Sequence, residues 1–122
     1  MPDVIAERQA EQQRLVELAR GYVVRLSARI PLTAAVVVGS VARGDFNVWS
    51  DVDVVIVAED LPERAPDRAA LLLADAPGGV QPVGFTPTEL TAALGRGNPL
   101  AAEAVGEGLV LTGRKTLRRL SS

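Results

Sequence analysis

The stretch that most limits what this chain can become runs from Val36 to Val57, VVVGSVARGDFNVWSDVDVVIV. An apolar β-branched run stops at Gly39-Ser40, a short polar segment carrying Arg43-Gly44 follows, and Ser50-Asp51-Val52-Asp53 opens a second apolar run. Two β-rich runs this close, each bounded by turn residues, read as neighbouring strands joined by a tight turn, one helical turn and a loop. Side chains at i and i+2 of a strand share a face, so Asp51 and Asp53 project together while Val52 turns into the core.

Two like charges at the mouth of a mostly buried strand repel, and a cation between them relieves that cost. Carboxylates are hard oxygen ligands, and the chain contains no Cys and no His. The ion these residues suit is therefore Mg²⁺ or Mn²⁺. Magnesium is commonly shared between protein carboxylates and substrate phosphates. Gly39 allows close backbone approach, Ser40 offers a hydroxyl and an N-cap, and the short helix after it aims free N–H groups outward, a combination suited to phosphate. Arg43, one turn further, is within reach of either the phosphates or the acids. The plainer reading of each residue alone is a turn, a surface arginine and a solvated strand end; it is their order between two apolar runs that favours a site for a metal-bound polyphosphate.

Gly39-Ser40, Ala42-Arg43-Gly44 and Ser50-Asp51-x-Asp53 together match the pattern G-S-x-A-R-G-x-x-x-x-x-S-D-x-D at every fixed position. This resembles the signature of the minimal nucleotidyltransferases, a branch of the DNA polymerase beta-like superfamily, and the resemblance covers most of the chain. It implies an α/β (α+β) fold in which a small mixed sheet is flanked by helices, with a long helix leading into the first strand. It also implies a nucleoside triphosphate substrate, ATP in the first instance, with Asp51 and Asp53 as catalytic and metal-binding residues and Gly39, Ser40, Arg43 and Ser50 on the nucleotide. A third acid on a neighbouring strand completes such sites and helps deprotonate the attacking hydroxyl. Here that position falls on Gln81, a neutral amide that can coordinate a hard cation but cannot take the proton. Two readings stay open: an Mg-dependent enzyme, or a weak or inactive descendant that binds nucleotide or a protein. The minimal branch resembles the antitoxin partners of small helical HEPN proteins, which implies a toxin–antitoxin pair with a protein hydroxyl as acceptor; self-association is the other partner expectation.

The remainder of the chain is organised around this stretch. A length of 122 residues suits one domain, taken as a helix over 1–30, a core over 33–111 and a tail over 112–122. Leu15, Leu18, Ala19, Tyr22, Val23, Leu26 and Ile30 form one apolar helical stripe. The preceding polar half, through Glu11-Gln12-Gln13, is expected either to be solvated or to dock on a partner. Further helices are expected at 68–74, 87–94 and 99–106, and strands at 80–85 and 109–111. Thr86-Pro87-Thr88-Glu89 is a helix start in which Glu89 completes a capping box, a structural job that removes it from the chemistry.

Gly108 to Thr116 is a near miss to a phosphate-binding P-loop, with Arg114 in the required Lys position. The basic residues Arg114, Lys115, Arg118 and Arg119 suit the end of a solvated C-terminal helix. A net charge of −2 argues against general nucleic-acid binding. The lack of Cys excludes disulfides and thiol catalysis. No apolar run approaches ~18 residues and no leader is visible, so no membrane association and a cytoplasmic location are expected.

Overall fold

In the computed structural model, residues 3–47 and 49–121 are described. Their elements run α1 (Val4–Ser27), β1 (Ala34–Val38), α2 (Gly39–Arg43), β2 (Val52–Val57), α3 (Ala65–Leu73), β3 (Val80–Phe85), α4 (Pro87–Gly95), α5 (Pro99–Val105), β4 (Leu109–Thr112) and α6 (Arg114–Leu120). The strands form one mixed sheet in the order β3-β2-β1-β4: β1 is antiparallel to β2 and β4, and β2 is parallel to β3. Helices cover both faces. This is the small mixed α/β architecture expected from the sequence, long N-terminal helix included.

All five residues of β1 are buried. That is why this strand reads as an unbroken apolar run and not as an alternation: both of its faces are covered. Ala35 and Val37 of β1 and Val52, Val54 and Ile56 of β2 pack with the α1 stripe, Val41 of α2 and Leu72 of α3. Ala34, Val36 and Val38, with Val55 and Val57, pack instead with Leu90 and Ala93 of α4, Ala101 and Ala104 of α5 and Leu117 of α6. The two-residue period thus sorts the β-branched side chains into two cores, one on each side of the sheet. Asp53 sits in phase with Val55 and Val57, so its side chain belongs to the face covered by α4, α5 and α6.

Several local expectations shift. Helix α3 begins at Ala65, not Arg68, because Pro66 lies in its first turn, where a fixed φ and a missing N–H cost nothing, and Asp67 adds a favourable charge. The predicted cap at Ser40 is not formed: the N-cap of α2 is Val38, without a side-chain bond, and Ser40 lies inside the helix. The polar half of α1 is neither idle nor free. Gln12 Nε2 donates to the Val41 carbonyl at 2.7 Å, and Arg8 Nη2 donates to the carbonyls of Gly44 and Phe46 at 3.0 and 2.6 Å. Arg8 also lies 4.6 Å over the Phe46 ring. These contacts strap α1 to the segment leaving α2.

The capping box at Thr86 and Glu89 forms as expected, and Glu89 additionally accepts from Arg68 Nη1 at 2.7 Å. The near-miss P-loop is a strand edge: β4 runs through its first half, and a Cβ on Gly108 would lie 2.4 Å from Val36 Cγ1, so this glycine serves close strand packing. The basic tail forms α6, with Leu117 buried. Among the described residues no helix is long and apolar enough to cross a membrane.

Candidate functional site

The end of β1, the start of β2 and the start of β3 lie side by side. Val38 is opposite Asp53, and Asp53 is in register with Gln81. The chain leaves β1 through Gly39, which has φ 75°, the left-handed region that favours glycine. A second constraint acts on the same residue: a Cβ built there would stand 2.6 Å from Asp53 Oδ2. Gly39 is therefore glycine twice over, once for its backbone and once because the Asp53 carboxylate leans against it. The bend and this acid face one another.

Asp51 is exposed just ahead of β2, and Asp53 is half-buried one residue inside it, with Val52 fully buried between them. Burial raises the Asp53 pKa above the ordinary carboxyl value; the charges of Asp51 and Glu103 push the same way, and the nearby Arg43 guanidinium partly offsets them. Each of these groups is therefore close enough for its charge to be felt at Asp53. Gln81 Nε2 donates a long bond to Asp51 Oδ2 at 3.4 Å. The amide thus stands beside the acid pair on the adjoining strand.

The hydrogen bonds of Arg43 go to carboxylates outside β2, while its charge is felt at Asp53. Its Nε donates to Asp45 Oδ2 at 3.2 Å and its Nη1 to Glu103 Oε1 at 3.1 Å. Ser50 braces the loop between α2 and β2: its Oγ accepts from the Asn47 N–H at 2.9 Å, and its own N–H donates to the Asn47 carbonyl at 3.0 Å. Trp49, whose N–H donates to Asn47 Oδ1, is 88% exposed on that turn.

Sequence reading missed Glu103. It lies on α5, far along the chain from the motif, and its Oε2 accepts from the Gly39 N–H at 2.7 Å. Residues 99–105, PLAAEAV, carry no local signal for this role. Only the packing of Ala101 and Ala104 against the second face of the sheet brings α5 over the bend.

Among the described residues, no group of three or more Asp, Glu, His or Cys side chains is gathered for metal ligation. What the structure does offer is two carboxylates at the start of β2, with the Gln81 amide turned toward Asp51 through its nitrogen. Two carboxylate ligands suit a magnesium-type ion that takes its other ligands from water and from phosphate.

A small two-faced α/β domain that sets a glycine bend and a one-turn helix against paired carboxylates on the next strand belongs to the class that handles phosphorylated nucleotides. The chain belongs to the nucleotidyltransferase domain family, which matches residues 8–93. It is also similar to the crystal structure, at 1.40 Å resolution, of a candidate nucleotidyltransferase from Sulfolobus solfataricus: identity is 27%, the TM-score is 0.61, and the match covers 67% of this chain and 76% of that one. No curated protein is significantly similar to this chain.

Proposed function

We propose that this domain transfers a nucleoside monophosphate from a nucleoside triphosphate, ATP in the first instance, to a hydroxyl acceptor, with release of pyrophosphate. The observation that carries the reading is the contact between the Gly39 bend and Asp53: the carboxylate lies where a Cβ on Gly39 would stand, and the charges of Asp51 and Arg43 are felt at the same carboxyl. Gly39, Ser40 and Arg43 would hold the triphosphate, and Asp51 and Asp53 would hold Mg²⁺ or Mn²⁺. Such an ion, when bound, neutralises charge on the phosphates and helps align an in-line displacement. The acceptor oxygen forms a bond to the α-phosphorus, the bond from that phosphorus to the bridging oxygen breaks, and the electron pair leaves on pyrophosphate. The acceptor proton needs a base. With the neutral Gln81 on the adjoining strand, that base is Asp51 or Asp53, a water, or a group of the partner. Ser50 serves the site at one remove, by fixing the turn from which Asp51 emerges.

For the acceptor we infer a hydroxyl on a small helical protein of HEPN type, in a toxin–antitoxin pair; the support is the resemblance to the minimal branch of the superfamily. A second reading, a domain that binds nucleotide or protein with little turnover, is favoured by one specific observation. The residue beside Asp51 on β3 is the neutral Gln81, which leaves the third acid missing.

Labelled ATP with Mg²⁺, incubated with the protein alone and with the product of the neighbouring gene, and read by intact-mass spectrometry, separates the two. Addition of a nucleoside monophosphate to either protein, abolished by Asp51→Ala/Asp53→Ala, is the expected result. If there is no adduct and the double variant still neutralises its partner, contact and not chemistry is the mechanism.

A further inference from the structure

Two of the three residues assigned to the triphosphate are already held, in this structure, by a carboxylate from another part of the chain. Gly39 N–H donates to one oxygen of Glu103, and Arg43 Nη1 donates to the other. A backbone N–H and a guanidinium on two oxygens of a single anion is the arrangement by which proteins grip phosphate. The Gly39 bond is short, at 2.7 Å, as expected when the acceptor is charged.

We propose that Glu103 is an internal competitor for the nucleotide: it fills the phosphate cradle when no substrate is present and is displaced when a metal-bound triphosphate enters. This inference rests on the reading of the Gly39–Arg43 turn as a phosphate site. Displacement needs only a side-chain movement. The Glu103 side chain is 31% exposed and can rotate toward water, while α5 stays anchored by the buried Ala101 and Ala104. Glu103 cannot remain once a triphosphate arrives, because both are anions and share the same two donors.

The device also discriminates between ligands. Asp51, Asp53 and Glu103 gather negative charge here, and the charge of Glu103 is felt at Asp53. A lone phosphate brings more negative charge and nothing to offset it. A magnesium-chelated triphosphate brings the cation that Asp51 and Asp53 lack, along with enough oxygens to replace the carboxylate. Meanwhile Glu103 keeps the Gly39 N–H satisfied and the bend in shape, so little reorganisation remains when substrate binds.

The test is calorimetric titration of inorganic tripolyphosphate, and separately of ATP, each with Mg²⁺, into the wild type, Glu103→Gln and Glu103→Ala, with Asp51→Ala/Asp53→Ala alongside. Circular dichroism and urea melts confirm that each variant is folded. The Gln side chain keeps the shape and the bond from Gly39 but not the charge, so it stays informative if the Ala variant fails to fold. Both Glu103 variants should bind magnesium tripolyphosphate about tenfold tighter or more, the effect expected when one charge-assisted competitor is removed. Equal or weaker binding by Glu103→Gln, with wild-type binding still lost in the Asp51→Ala/Asp53→Ala variant, overturns this proposal alone and makes Glu103 a brace for the bend. Absence of polyphosphate binding in every variant overturns the phosphate reading and this proposal together.

Discussion

Replacing Gly39 with alanine isolates the feature on which the site depends, because two costs meet at one residue. A non-glycine residue at φ 75° pays the left-handed backbone penalty, of which about 1 kcal/mol survives once the stiffer unfolded chain is credited. The added Cβ would stand 2.6 Å from Asp53 Oδ2, so the carboxylate has to leave its rotamer, for about another 1 kcal/mol. The sum of about 2 kcal/mol corresponds to a fall in Tm of roughly 6–12 °C for a domain of this size. Gly44→Ala is the matched control. It has the same kind of backbone, φ 85°, but its new Cβ would meet only Gln12 Nε2, at an ordinary 3.8 Å. That variant should lose about 1 kcal/mol and keep its ligand response, whereas Gly39→Ala should lose the rise in Tm with ATP and Mg²⁺ because Asp53 has been displaced. Scanning calorimetry of the two variants, with and without ligand, gives both numbers. Equal losses of stability, or an intact ligand response in Gly39→Ala, would show that Asp53 does not need the bend.

Four further outcomes are expected. ATP with Mg²⁺ should raise the wild-type Tm, since a ligand that prefers the native state stabilises it; no rise at millimolar ATP would count against the whole site. Asp53→Asn should lose that response while melting, metal-free, at or above the wild-type temperature at neutral pH. The sign follows from the raised pKa of Asp53: a group that binds its proton more tightly folded than unfolded adds stability at low pH and loses it as pH rises through its folded-state value, and Asn has no charge to bury. A metal-free variant that unfolds more easily would assign Asp53 a structural role instead. Gln81→Glu should increase any transfer rate by restoring an acid beside Asp51, and an unchanged rate in a labelled-ATP assay would mean the missing base lies elsewhere. Tyr22→Phe should cost about 1–2 kcal/mol in urea unfolding, because the buried hydroxyl donates to the Leu72 carbonyl at 2.7 Å and that carbonyl would lose its partner; a neutral result would mean that water replaces the bond.

Local order along the chain already specified much of this protein. The unbroken valines of β1, the alternation of Asp51-Val52-Asp53, the Gly39-Ser40 bend and the Thr86–Glu89 capping box are all short-range signals. Each depends on residues within one turn or one strand, where geometry follows directly from backbone period and turn chemistry. The approach of the bend to Asp53 follows from the same local order, since the strands that carry them are neighbours in sequence and pair antiparallel. The cap expected at Ser40 failed for an equally local reason: the helix starts two residues sooner than that cap would place it, on a left-handed glycine.

Tertiary structure alone decided the remainder. Arg8 and Gln12 looked like residues of a solvated helix end, yet packing of the α1 stripe carries them onto the carbonyls of Val41, Gly44 and Phe46. Glu103 lies in a helix of small apolar residues with no motif around it, and reaches Gly39 only because Ala101 and Ala104 seat α5 on the face of the sheet that also carries Asp53. The physical reason is range: a strand's period says which side chains share a face, but which distant helix covers that face is set by how the apolar surfaces pack together.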